Sequence, residues 1–172
     1  MSNLYPDHLI NYRAYVDGRF VATVDVELPK LEYMSETLSG AGFAGEMETP
    51  TIGHFSSMSA KLNIRTMEEN LLAILHAGGT MVEFRGSSQF YDTSTAKTEA
   101  RKLRVFTVLL PKTMELGKLE VAKAMDTSFE GEVAYLKISI DDEEMVEIDK
   151  ANFICRIGGR DALETVRQHL GM

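Results

Sequence analysis

The chain has 172 residues, a single cysteine and a formal net charge of −8 from 26 acidic and 18 basic residues. That length suits one domain, residues 1–172, able to bury roughly two-thirds of the surface its unfolded chain exposes, and a lone Cys155 excludes an internal disulfide framework and fits a reducing cytoplasm as a small apolar filler. The absence of a basic run excludes attraction to nucleic-acid phosphates, and with neither an export signal nor an apolar run of about 18 residues the expectation is a chain without a membrane anchor.

After a polar arm over residues 1–10, Asn11–Val16 and Arg19–Leu28 flank the dipeptide Asp17-Gly18. This spacing predicts a hairpin with a two-residue primed turn, and its register sets Tyr15 opposite Phe20 on a face shared with Ala22, Val24, Val26 and Leu28. The other face carries Arg19, Thr23, Asp25 and Glu27, and Pro29 ends the strand. From Lys30 to Gly53 no helix or long strand is legible, yet Leu31, Tyr33, Met34, Leu38, Phe43 and Met47 lie along it. A disordered linker would be poorer in such residues, so residues 30–53 read as a loop that covers something, either its own domain or a neighbour.

That loop contains Gly40-Ala41-Gly42-Phe43-Ala44-Gly45, the spacing of a dinucleotide cradle. Such a cradle needs a helix N-terminus directly after it. Here Glu46–Gly53 contains Pro50 and Gly53, and Asn63-Ile64-Arg65 stands where a ribose-binding acid should be. The glycines therefore shape an arm and not a phosphate site.

Ser57–Arg65 alternates polar and apolar residues, the period of a half-buried strand. Thr66 and Glu69 fit a capping box opening a helix over residues 66–77, with Met67, Leu71, Ile74 and Leu75 on one stripe that ends at Gly78-Gly79. A strand is predicted at Thr80–Arg85, followed by two long ones at Lys97–Leu110 and Ser128–Ile140, with Pro111 between them. Strands of that length exceed the usual five or six residues and must lie in a larger sheet, one that copies of the chain can share. Asp141-Asp142-Glu143-Glu144 turns the chain into Met145–Asp149, then Asn152–Ile157, Gly158-Gly159 and a helix over residues 160–170 carrying Leu163, Val166 and Leu170, with Gly171 as its cap. The fold class is mainly β (α+β): packed antiparallel sheets in a barrel-like sandwich, one flanking helix and a short C-terminal helix.

Chemistry is sparse. His8, His54, His76 and His169 have no metal-ligand spacing, and Ser56-Ser57 lacks a nucleophile-elbow surround. No catalytic residue, metal or cofactor is expected. What remains is assembly, because open strand edges are covered when copies join head to tail in a closed ring. A monomeric β-barrel holding a small ligand is an alternative.

Three pieces together, namely the Asp17-Gly18 hairpin, Leu28-Pro29-Lys30-Leu31 leading to Gly40-Ala41-Gly42 and Gly45, and Met145–Asp149 through Gly159, Leu163 and Leu170-Gly171-Met172, resemble the major tail tube protein of contractile-tail phages and R-type bacteriocins. The resemblance implies six copies in a ring whose inner strands form one shared barrel, with rings stacking into a rigid hollow tube. It further implies sheath, tape-measure, baseplate and tail terminator proteins as partners, DNA passing through the lumen without specific binding, and residence in the virion after synthesis in the host bacterial cytoplasm. A type VI secretion tube protein shares this architecture and is a second alternative. In this setting residues 30–53 become the inter-subunit or ring-stacking loop, and the acidic balance suits a conduit that must not hold phosphates. Glu130 and Glu132 are the candidate lumen-facing residues.

Overall fold

The computed structural model describes residues 4–67, 69–75 and 78–172. Its strands are β1 (Leu4–Val16), β2 (Arg19–Val21), β3 (Thr23–Glu27), β4 (Tyr33–Leu38), β5 (Met47–Phe55), β6 (Ser59–Ile64), β7 (Thr80–Asp92), β8 (Lys97–Glu115), β9 (Thr127–Ile140), β10 (Glu143–Asp149), β11 (Ile154–Ile157) and β12 (Arg160–Asp161). The helices are α1 (Glu69–Leu72), continued by a 3-10 turn at Ala73–Leu75, and α2 (Glu164–Leu170).

One ten-stranded antiparallel sheet runs β12-β11-β10-β9-β8-β7-β1-β2, with β6 joining both β9 and β3. The branch lies within β9. Its first half, Thr127–Glu132, pairs with β6, and its second half, Tyr135–Ile140, pairs with β10. The sheet therefore folds over into two layers around a core of Met58, Leu62, Ile64, Leu109, Phe129, Leu136 and Ile148. It stays open among the described residues, which leaves the ligand-binding barrel without a barrel.

Local chemistry accounts for the connections. Asp17 and Gly18 both take positive φ, 47° and 78°, and set Val16 opposite Arg19 and Tyr15 opposite Phe20. Asp141 and Asp142 do the same between β9 and β10, with φ of 50° and 67°. In β6 the alternation holds throughout: Ala60, Leu62 and Ile64 are buried, and Ser59, Lys61 and Asn63 are not. Cys155 is buried in the core.

The face assigned to the first hairpin is reversed. Ala14, Val16 and Val21 are buried, whereas Phe20 is exposed and meets Tyr15 edge-on at 6.1 Å on the outer side. A two-residue turn fixes register but not which face meets the core. The expected strand Arg19–Leu28 is also broken at Ala22, where the chain leaves β1 and crosses to β6.

Three elements run further than the sequence suggests. Residues 4–10, read as an arm, form the start of β1 beside the far end of β7, which extends to Asp92. β8 passes through Pro111, whose missing N–H coincides with an irregularity in the ladder to β9. The two helices are shorter than expected. Thr66 and Met67 are not helical and α1 begins at Glu69, while residues 68 and 76–77, hence His76 and the C-terminal end of the predicted 66–77 helix, lie outside the described residues; Leu71 and Ile74 of its stripe are buried while Leu75 is exposed. α2 begins at Glu164 and not at 160, because Arg160–Asp161 first pairs with β11. Its end matches expectation: Gly171 takes φ 72°, its N–H donates to Gln168 O at 3.2 Å, and Met172 N–H donates to Arg167 O at 3.0 Å. Leu163 is buried, but Leu170 is exposed.

Candidate assembly site

Residues 30–53 are not irregular. β4 and β5 make a separate two-stranded antiparallel sheet, pairing Leu38 with Met47 and Glu36 with Thr49. Both faces of this hairpin are exposed, so no period betrays it in the sequence. Gly40, Gly42 and Gly45 carry positive φ at its tip. Leu31, Tyr33, Met34, Leu38, Phe43 and Met47 are all exposed, joined by Ile52, which sequence reasoning missed. A two-stranded ribbon is marginal by itself, and so many bare apolar side chains on one are uncommon for a surface that faces only water.

The root of the arm, by contrast, is fastened. The Tyr33 and Phe55 rings stack with centroids 4.5 Å apart, and Ser56 N–H donates to Glu32 O at 2.8 Å. Glu132 supplies the main lock. Its carboxylate accepts from the Ser57 hydroxyl at 2.6 Å, the Met58 N–H at 3.1 Å and the Lys150 ammonium at 2.9 Å, while Lys150 also donates to Ser56 O at 3.1 Å. Burial raises the Glu132 pKa, but the Ser57, Lys150 and Met58 bonds outweigh it and the net direction is down.

Glu130 and Glu132 alternate with the buried Phe129, Gly131 and Val133, and so stand on the face of β9 turned away from the core. A register irregularity around Ala134 carries that face on through Tyr135, Lys137 and Ser139. Across the sheet the same face presents Glu83 and Arg85 of β7, Arg104 and Phe106 of β8, Glu147 of β10 and Arg156 of β11. Its cations are held by carboxylates. Glu83 lies 2.6 Å from both Arg85 and Arg104, Lys137 lies 2.7 Å from Glu144, Arg156 lies 2.5 Å from Glu147, and Lys112 lies 3.4 Å from Glu130. The Arg85 bond first, and the Arg104 charge after it, hold the Glu83 pKa below its ordinary value against the opposing effect of burial. Tyr135 donates to Glu147 at 2.7 Å; burial first, and that carboxylate second, push its pKa up. Glu83 and Arg85 share one face of β7 at i, i+2; the members of the other pairs lie on different strands, and nothing in the sequence marks those.

Among the described residues no group of three His, Cys, Asp or Glu is placed to hold a metal ion, and no helix is long and apolar enough to cross a membrane.

Comparison with known proteins agrees with this geometry. The tail tube protein of Escherichia phage P2 is 27% identical over 151 residues, covering 86% of each chain. The sheath/tube terminator of an extracellular contractile injection system, PVC, seen by cryo-EM in its extended state, shares the fold with a TM-score of 0.56 at 12% identity, covering 78% of this chain and 97% of that one. The model of the family described as phage tail tube protein FII matches residues 6–171, and the chain belongs to that family.

Proposed function

We infer that six copies of this tail tube subunit close head to tail into a ring and that rings stack into the hollow inner tube of a contractile tail. The observation that carries this reading is the arm: a hairpin fastened at its root, carrying exposed apolar side chains along its length and without a partner layer among the described residues. Open edges support it. β2 pairs only with Ala14–Val16, so the outer edge of β1 from Leu4 to Arg13 has no neighbouring strand among the described residues, and a second copy would satisfy those backbone groups.

The uncovered face of the main sheet then lines the bore, with Glu130 and Glu132 at one end. DNA passing it meets cations already neutralised by carboxylates, which limits salt-dependent drag. The partners are a sheath protein outside, a tape-measure protein inside before DNA passes, and baseplate and terminator proteins at the ends. The protein is made in the host cytoplasm, resides in the virion tail and performs no catalysis. Residues 1–172 act as one tube domain.

The test is the double substitution Phe43→Asp/Met47→Asp, both at exposed positions of the arm. Circular dichroism should show a folded monomer, and electron microscopy should show no rods under conditions where the unchanged chain forms them. Normal rods from the double variant would remove the arm from assembly.

A further inference from the structure

α2 adds little to the core. None of its residues is buried, and Val166 alone among them packs partly against the core cluster. Its Arg167 is nevertheless only 21% exposed and fully engaged: it donates to Asp161 Oδ2 at 2.7 Å and to Phe153 O at 2.6 Å. Asp161, itself 11% exposed, also accepts the Leu163 N–H at 3.0 Å. The hydrogen bonds of this short helix are thus directed at Leu163 and at the turn after β10.

Those are the two places where the arm leaves the body. Leu163 lies so close under Gly53 that a Cβ added there would stand 2.5 Å from Leu163 Cγ. The turn over residues 150–153 touches the arm root twice: Lys150 donates to Ser56 O at 3.1 Å, and the Phe153 ring meets the His54 ring edge-on with centroids 6.2 Å apart. Phe153 has φ 54°, a left-handed conformation that a bulky residue keeps only where its surroundings impose it, and the Arg167 bond to its carbonyl is one such restraint. Gly53, His54, Lys150, Phe153 and Leu163 also line one cavity of about 170 Å³. The arm root is therefore not packed solid on this side, and its angle depends on these few contacts.

We propose that Arg167 is a positioning residue for assembly: by holding Phe153 and Asp161 it fixes the turn and Leu163 against His54 and Gly53, and so sets the angle at which the arm leaves the body. The inference rests on the tube reading. A ribbon free to swing loses that freedom when it docks on a neighbour, whereas one held beforehand has little left to lose. The angle of the arm, together with its apolar side chains, then decides the concentration at which copies associate.

Spin labels at Ala44→Cys on the arm and Val121→Cys in the loop after β8, both exposed positions, report the arm angle in the monomer as a distance distribution; the natural Cys155 is buried. Arg167→Gln should broaden that distribution and, without labels, raise the protein concentration needed for rods several-fold. Val82→Ala, a core change in β7, controls for lost stability and should leave both readings as they are. Should Arg167→Gln not fold, Gly53→Ala, which strikes the Leu163 contact from the arm side, decides on the same two readings. An unchanged distribution, an unchanged concentration for rods, or equal changes in Val82→Ala would overturn the positioning role while leaving the tube intact. No rods from the unchanged chain would overturn the tube reading, and the monomer distances would still decide whether Arg167 sets the arm.

Discussion

Glu132 and Lys150 meet at 2.9 Å beneath the arm, joining the middle of β9 to the turn after β10 and, through Ser56 and Ser57, to the chain leaving β5. The pair is half-buried and makes four hydrogen bonds, so it counts for more than a surface ion pair. Glu132→Gln is expected to cost about 1–2 kcal/mol, because Lys150 loses its counter-charge. Urea denaturation followed by circular dichroism measures this, and an unchanged midpoint would show that the lock contributes nothing.

Acid should act through the same groups. Glu132 and Glu83 are both lowered in the folded chain from their ordinary 4.5, so folding favours their ionised forms. Their contribution is complete above that ordinary value and disappears as pH falls through the lowered ones. The melting temperature is expected to hold steady from neutrality to about pH 5 and to drop below it. The drop should be shallower in Glu132→Gln; a profile flat into strong acid would contradict the assignment.

At Gly53 the backbone has φ +65°, and an added Cβ would stand 2.5 Å from the buried Leu163 side chain. Gly53→Val combines that clash with a backbone conformation unfavourable to a β-branched residue, at an expected cost of about 2–3 kcal/mol. Gly40→Ala, where a Cβ meets open space, should cost less in the monomer. Thermal melts of the two variants side by side decide the order.

Glu83 neutralises two guanidinium groups on the uncovered sheet face. Glu83→Gln leaves Arg85 and Arg104 without that partner, and tubes of this variant should retain DNA more strongly at low salt than at high salt. A filter-binding series across ionic strength gives the comparison. Equal retention by both proteins at every salt concentration would mean that this face does not line the bore.

What the sequence makes legible is what local chemistry controls. Asp17-Gly18 and Asp141-Asp142 set two hairpins in register, the alternation of Ser57–Arg65 names a core face, and Gly171 caps the last helix. The arm residues were legible as a group because apolar side chains in an aperiodic segment require an explanation. Their strands were not, since a ribbon wet on both faces has no hydrophobic period. Leu4–Ile10 and Ser87–Asp92 were missed for a related reason: Pro-Asp-His and Gly-Ser-Ser-Gln read as poor strand material and pair through their backbones. The face of the first hairpin and the Glu132 lock depend on residues far apart in the chain, which spacing along one strand does not reveal.

The branch inside β9 also has a mechanical side. Inter-strand hydrogen bonds in an antiparallel ladder run across the strands, so a force along β8 and β9 loads many of them in shear at once and does not peel them singly. Because β9 belongs to both layers, slippage would have to tear both ladders together. Such a subunit is stiff lengthwise and more compliant sideways, the behaviour of a piston rod.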